Sequence, residues 1–161
     1  MPTAVPERII TTIKSRLELI TVLNGYGLNV ASVDRVNRLA ADWTPKNLSL
    51  VLTMGDEERN PPHDRPGNPP AMAYNLPVLV YGFVRLGDRA VAREQTTVNA
   101  LLAAVKKAIA NTSTWYQFDN ATYNADFGTM TPIVTTDHFG FTLPLVVQYR
   151  ISELDPFTVR A

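Results

Sequence analysis

His63 and His138 are the only imidazoles in the chain, and cysteine is absent, so the side chains available for catalysis or metal binding are few. A metal site at His63 would draw on Asp56, Glu57 and Asp64, but the HxH or HxxxH spacing that brings two imidazoles onto one ion is missing. Asp137-His138 supplies part of a nucleophilic triad, yet no GxSxG or similar nucleophile turn accompanies it. Gly25-Tyr26-Gly27 is too short for a phosphate-binding fingerprint and reads as a helix stop. Asn120-Ala121-Thr122 matches a glycosylation acceptor, but no secretory signal gives that match meaning. Trp115, Tyr116, Phe118, Tyr123 and Phe127 would stack on bases only beside a basic groove, whereas their neighbours include Asp119 and Asp126, which repel phosphate. The expectation is that these aromatics pack in a core or an interface, and that the chain is no enzyme and holds no metal or cofactor.

Composition sets the outer limits. At 161 residues and 45% hydrophobic, the chain is long enough for one well-buried core and short for two domains. Fifteen lysines and arginines balance fifteen acids, so no net field favours nucleic acid, an acidic substrate or a membrane surface. No apolar run approaches the ~20 residues that cross a bilayer, and the N-terminus lacks the basic-then-apolar pattern of a secretory signal. A cytoplasmic site of synthesis is expected, with no membrane partner.

The elements that must position any functional side chain follow from periodicity. Pro6-Glu7 opens a helix whose stripe runs Ile9, Ile10, Ile13, Leu17, Ile20 and Leu23 and which stops at Asn24-Gly25-Tyr26-Gly27. Leu28–Leu39, with Val30, Val33 and Val36 among charged residues, reads as a polar edge strand. After an approach through Trp43-Thr44-Pro45, Leu48, Leu50, Leu52 and Met54 alternate with Ser49, Val51 and Thr53, which reads as a strand with one buried face. A second helix, capped by Asp88 after a turn at Gly87, carries Val91, Val98, Leu101, Leu102, Val105 and Ile109 through about Asn111. Short strands are expected near Trp115–Phe118 and Ile133–Thr136. The final strand, Phe141–Ile151, buries Phe141, Leu143, Leu145, Val147, Tyr149 and Ile151 on one face, enters through a hairpin at Asp137–Gly140 and ends at Asp155-Pro156-Phe157, where proline stops further pairing.

Two stretches fit neither a buried core nor a plain surface. Between Gly55 and Pro77, six prolines (61, 62, 66, 69, 70 and 77) forbid a regular ladder or helix, so the segment reads as a long loop that is either solvated or ordered against a partner. The strand Leu76–Leu86 has Leu76, Val78, Val80, Val84 and Leu86 on one face and Leu79, Tyr81 and Phe83 on the other. A strand apolar on both faces is either central in a three-layer domain or lies against another subunit.

The predicted fold is therefore α+β: a single domain, residues 1–161, with a mainly antiparallel sheet of about four to five strands and two helices packed on one face. The order of features resembles the tail-terminator, or tail-completion, proteins of long-tailed bacteriophages. It has an amphipathic helix at Pro6–Leu23, a long loop at Gly55–Asn75, a strand running into a second helix over Leu76–Asn111, and a late strand ending in VVQYRISELDPF. The resemblance implies a structural virion subunit that forms a ring, a hexamer in that family, on the end of the tail tube. Such a ring stops tube polymerisation and docks to the head connector while DNA passes through it. The partners implied are other copies of the chain, tail-tube protein and a connector or neck protein, with a location at the head-proximal end of the tail. The residues expected at interfaces are Leu79, Tyr81 and Phe83 on the second face, and Arg59, Pro61, Pro62, His63, Asp64, Arg65 and Pro66 in the loop. Val146 and Arg150 of the last strand and Pro156 and Phe157 beyond it complete the set. Other neck or tail proteins, such as head-completion or tube proteins, share this habit, and a small ligand-binding domain or enzyme using the aromatic stretch is the reading from a different class.

Overall fold

The computed structural model describes residues 3–36, 46–85, 91–110 and 117–159, with side chains for all of these except 91–94, 156, 158 and 159. The sequence expectations at Leu39, Trp43-Thr44-Pro45, Leu86, Gly87, Asp88, Asn111, Trp115 and Tyr116 lie outside these residues.

Helix α1 spans Val5–Glu18, with Pro6 in its first turn and Glu7 at its positive end. Val5, Ile9, Ile10, Ile13 and Leu17 are its fully buried stripe, each worth ~2 kcal/mol of burial. The helix ends five residues before the predicted Leu23 because Thr21 adopts an extended conformation and starts a separate 3₁₀ turn, Val22–Asn24, closed by Gly25 at φ 79°. Ile20 remains buried, but Leu23 is 97% exposed and is no part of the stripe.

The sheet has eight strands where four or five were expected: β1 (Ser32–Arg35), β2 (Ser49–Met54), β3 (Glu58–Arg59), β4 (Ala71–Arg85), β5 (Thr122–Phe127), β6 (Thr131–Val134), β7 (His138–Ser152) and β8 (Asp155–Val159). The main order is β1-β2-β4-β7-β5, with β3 added to β4 and both β6 and β8 added to β7. All pairs are antiparallel except β1 with β2. The two long strands β4 and β7 form the spine, paired without interruption from Ala71↔Ser152 to Arg85↔His138.

Several strand boundaries differ from the sequence reading. β5 was missed, because Tyr123 and Phe127 sit among Asn, Asp and Thr and carry no period-two apolar signal; the burial comes from Thr122 and Ala125. The end of the expected Trp115–Phe118 strand, at Gln117 and Phe118, pairs in no strand. β2 is buried on both faces, with Leu50, Val51 and Leu52 all at 0% exposure. Asp155-Pro156-Phe157 does not stop pairing: the chain turns after Ser152 and β8 folds back onto the end of β7. Proline is tolerated there because β8 pairs on one side only.

Helix α2 (Val91–Ile109) lies with α1 on one face of the sheet. The core between them combines the α1 stripe and Leu101, Val105 and Ile109 of α2 with Leu76, Val78 and Val80 of β4 and Phe141, Leu143, Leu145, Val147 and Tyr149 of β7. Arg16 ties the helix ends together. Its guanidinium donates to the Ile109 carbonyl at 2.6 Å and the Gln117 carbonyl at 2.9 Å, supplying partners where α2 runs out of amides.

Candidate interaction surface

On the face of the sheet away from the helices, the registered pairs Pro77↔Val146, Leu79↔Pro144 and Tyr81↔Thr142 form a row along the spine. Val51 and Thr53 of β2 extend it past Tyr81 and Leu79. Leu79, Tyr81, Pro144 and Val146 are half-buried, whereas Val51 and Phe83 are buried, at 0% and 6%. None of these six belongs to the core that the helices close. Tyr81 and Phe83 stack with their ring centroids 6.5 Å apart and 10° between planes. The result is an apolar row outside the helix-covered core, rimmed by Gln148 and Arg150 at one end, whose partly exposed members are Leu79, Tyr81, Pro144 and Val146.

The expected long loop leaves β2 at Gly55, beside Pro77 of β4, and it is built rather than slack. β3 pairs Glu58↔Asn75 and Arg59↔Tyr74, a 3₁₀ turn follows at Pro61–His63, and Arg65 and Ala71 exchange backbone bonds of 2.9 and 3.0 Å. The predicted exclusion of a ladder from this segment is thus corrected. β4 already begins at Ala71 and runs through Pro77, so residues 55–70 form a short arm folded onto the extended end of β4.

Charge locks the arm. Arg59 grips Asp64 through two bonds, of 2.6 and 2.8 Å, donates to the Ala73 carbonyl at 3.0 Å and lies 5.2 Å over the Tyr74 ring. The Ala73 amide donates to Asp64 Oδ1 at 2.7 Å. The Arg59 guanidinium, helped by that amide, holds the Asp64 carboxyl down at about 2. Asn60 adds a side-chain bond of 3.0 Å to Asn75. At the arm's tip, Arg150 Nε donates to the His63 carbonyl at 2.8 Å while its guanidinium lies 3.8 Å over Tyr123. Burial, and then the neighbouring Arg65 charge, push the Arg150 pKa down. The His63 and Tyr123 rings are 5.9 Å apart. Beneath the arm, the Tyr149 hydroxyl donates to Glu57, and burial followed by that carboxylate pushes the phenol well above its usual range.

The sequence-named residues fall into three groups. Arg59, Pro61, Pro62, His63, Asp64, Arg65 and Pro66 lie on the arm, and Arg150 joins them from β7. Leu79, Tyr81, Phe83 and Val146 lie on the open sheet face. Phe157 stands apart, 41% exposed on β8, with its carbonyl accepting from Arg8 of α1 at 3.3 Å; beside it, Pro156 is placed by its backbone in β8. The aromatic partners of the arm, Tyr74, Tyr123 and Tyr149, were not singled out as contacts. Only the folded sheet brings Tyr74 under Arg59, Tyr123 under Arg150 and the Tyr149 hydroxyl to Glu57.

The carboxylates near His63 that the sequence disfavours as metal ligands are engaged elsewhere: Asp64 is held by Arg59 and Glu57 by Tyr149, while His63 packs on Tyr123. Among the described residues, no three His, Asp or Glu side chains converge on one point. His138 sits in β7, its amide donating to the Thr135 hydroxyl at 3.0 Å in the turn from β6.

No family model matches the sequence, and no curated protein does. A chain in the solved virion of a native gene transfer agent particle is similar over 92% of this chain and 96% of its own, with 13% identity and a TM-score of 0.46.

Proposed function

We propose that the chain is a structural subunit of a phage-type virion that assembles with copies of itself into a ring, a hexamer in the family it resembles. The ring would cap the tail tube at its head-proximal end, end tube polymerisation and offer a docking surface to the head connector. In this reading no bond is made or broken, no cofactor is needed, and DNA passes through the centre. The observation that carries the reading is the second face of the spine: a row from Leu79 and Tyr81 through Pro144 to Val146, apolar, partly exposed and outside the core that the helices close, bordered by an ordered arm. An apolar sheet face of this extent is characteristic of a surface that meets protein, and subunits of a ring require two different patches that meet head to tail.

The test is size-exclusion chromatography with light scattering, followed by negative-stain imaging, on the wild type and on Tyr81→Glu. The wild type is expected to form rings near six subunits, alone or with tail-tube protein. The half-buried Tyr81 variant is expected to keep its circular dichroism and lose its contact with tail-tube protein. A monomer at every concentration, with and without tube protein, refutes the proposal. Labelling of assembled particles separates a terminator from a head-completion or tube protein by its position.

A further inference from the structure

A second apolar feature that faces solvent is small and rigid. After α1, Leu19, Val22 and Leu23 are 54%, 56% and 97% exposed. Three exposed aliphatic side chains in five residues ordinarily mark a frayed segment, but this one is braced at every step. The Val22 amide donates to Asn29 Oδ1 at 2.8 Å, Asn24 Nδ2 to the Leu19 carbonyl at 2.8 Å, and the Tyr26 amide to the Thr21 carbonyl at 3.1 Å. From the last turn of α2, Lys107 donates to the Gly25 carbonyl at 3.2 Å and lies 4.8 Å over Tyr26. The fold thus holds a leucine out in water on a stiff knob, so the entropy usually lost on docking a loop is already spent.

A hole of matching character lies at the other end of α2. Val98, Met130, Pro132, Ile133, Val134 and Phe139 line an apolar cavity of about 190 Å³ between α2 and β6, with Gln95 and Asn99 at its rim. That is comparable to the ~150 Å³ apolar cavities that accept benzene, so it admits a leucine side chain. Val98 and Lys107 are nine positions apart on one helix, which separates knob and hole by ~14 Å along α2. The charges nearby are complementary: exposed Lys107 bonds at the knob, and exposed Asp137 lies in the turn that joins Val134 to Phe139 of the hole.

We infer that the Leu23 knob of one copy of this chain inserts into the α2–β6 cavity of the next, giving the ring its head-to-tail contact. A contact between different patches at opposite ends of a layer generates a rotation rather than a closed pair, which a ring needs and a two-fold dimer does not. Leu23 acts as the buried anchor, with Leu19 and Val22 excluding water around it. The inference rests on the ring reading and specifies its contact.

The experiment uses two variants of the full chain, Leu23→Asp and Val134→Arg, measured by sedimentation over a wide concentration range, alone and mixed. Both positions are exposed, so circular dichroism and thermal melting are expected to match the wild type. Each variant alone is expected to be monomeric, its subunit affinity lowered about 30-fold or more. An equal mixture is expected to give dimers and no rings, because the intact knob of the Val134→Arg chain can enter the intact hole of the Leu23→Asp chain once only. Rings from either variant alone, or no dimers from the mixture, overturn the knob-and-hole contact while leaving the ring reading standing. A wild type that stays monomeric overturns both.

Discussion

The spine that positions every candidate surface depends on two glycines, and the cost of filling one of them can be worked out. A methyl group at Gly82 would stand 2.4 Å from Phe141 Cε1 and 2.5 Å from Cζ. Carbon atoms in contact prefer 3.5–4.0 Å, so the ring would have to retreat by about 1 Å. Phe141 is fully buried in the core under the helices and is the registered partner of Gly82, which leaves it no free volume to enter. Overpacking of this kind costs about 1–3 kcal/mol, offset by the few tenths that alanine gains over glycine through the unfolded chain. Gly82→Ala is therefore expected to destabilise by ~2 kcal/mol, which at a urea m-value of ~2 kcal/mol/M lowers the unfolding midpoint by ~1 M. The cause is checked by a cycle with Phe141→Leu. Removing the ring makes room for the new methyl, so the double variant should be more stable than the sum of the singles by ~1–2 kcal/mol. Gly140→Ala serves as the control, because its methyl would meet the Gly82 carbonyl oxygen at 2.1 Å, a backbone clash that no change at Phe141 relieves. Unfolding is followed at one protein concentration, so that assembly does not shift the midpoints. Additivity of Gly82→Ala with Phe141→Leu to within about 0.5 kcal/mol would refute the packing argument.

Two further outcomes test the arm. Asp64 titrates below its ordinary 3.8, at about 2, so its hold on Arg59 and the Ala73 amide is complete above about pH 4 and is lost as the pH falls through about 2. The Ala73 amide resonance is expected to move with a midpoint near 2, and a midpoint near 3.8 contradicts the lock. Tyr149→Phe removes the donor to Glu57 and is expected to cost ~1 kcal/mol, since the exposed carboxylate regains water. Because the phenol is raised above its usual 10, Tyr149 contributes stability below about pH 10 that is lost as the pH rises beyond it toward the folded value. Urea midpoints of wild type and Tyr149→Phe should therefore stay apart up to about pH 10 and converge as the pH rises beyond it, and parallel curves contradict the assignment.

The helical face was legible from periodicity. The stripes Ile9–Leu17 and Leu101–Ile109 and the alternation of Phe141–Ile151 carry the two-layer core, because burial on a single face leaves a clean period. Leu23 was misread for the same reason: it continues the helical spacing numerically, and only the turn at Thr21 with its side-chain braces takes it out of the stripe. Val51 was misread in the opposite sense, since alternation assigns it to solvent while the fold buries it fully between β1 and β4. Of the candidate surface, Leu79, Tyr81 and Val146 were readable from one strand at a time. The grip of Arg150 on Tyr123 and on the His63 carbonyl was not, because it joins β5, the arm and β7, whose register no single stretch encodes.

Proline gave the most instructive error, because the rule behind it was right and its consequence was misplaced. Pro77 and Pro144 lie inside the two longest strands, where a missing amide should break a ladder. Each sits where one flanking strand leaves and another joins. β2 ends opposite Val78 and β3 begins opposite Asn75; β5 ends opposite Leu145 and β6 begins opposite Thr142. In both gaps a glycine makes the single remaining bond. The Gly55 amide donates to the Pro77 carbonyl at 2.9 Å and the Gly128 amide to the Pro144 carbonyl at 2.8 Å, and a side chain on either glycine would crowd the proline at 3.0 Å. The partner's second bond has no donor on the proline, so the flanking chain is released there while the long strand continues. On the β4 side the released chain becomes the arm at residues 55–70. On the β7 side it becomes the turn into β6, with Met130 lining the cavity proposed to receive Leu23. A glycine facing a strand proline thus marks a branch point in the sheet, and the two branch points of this chain lead to the arm and to the cavity.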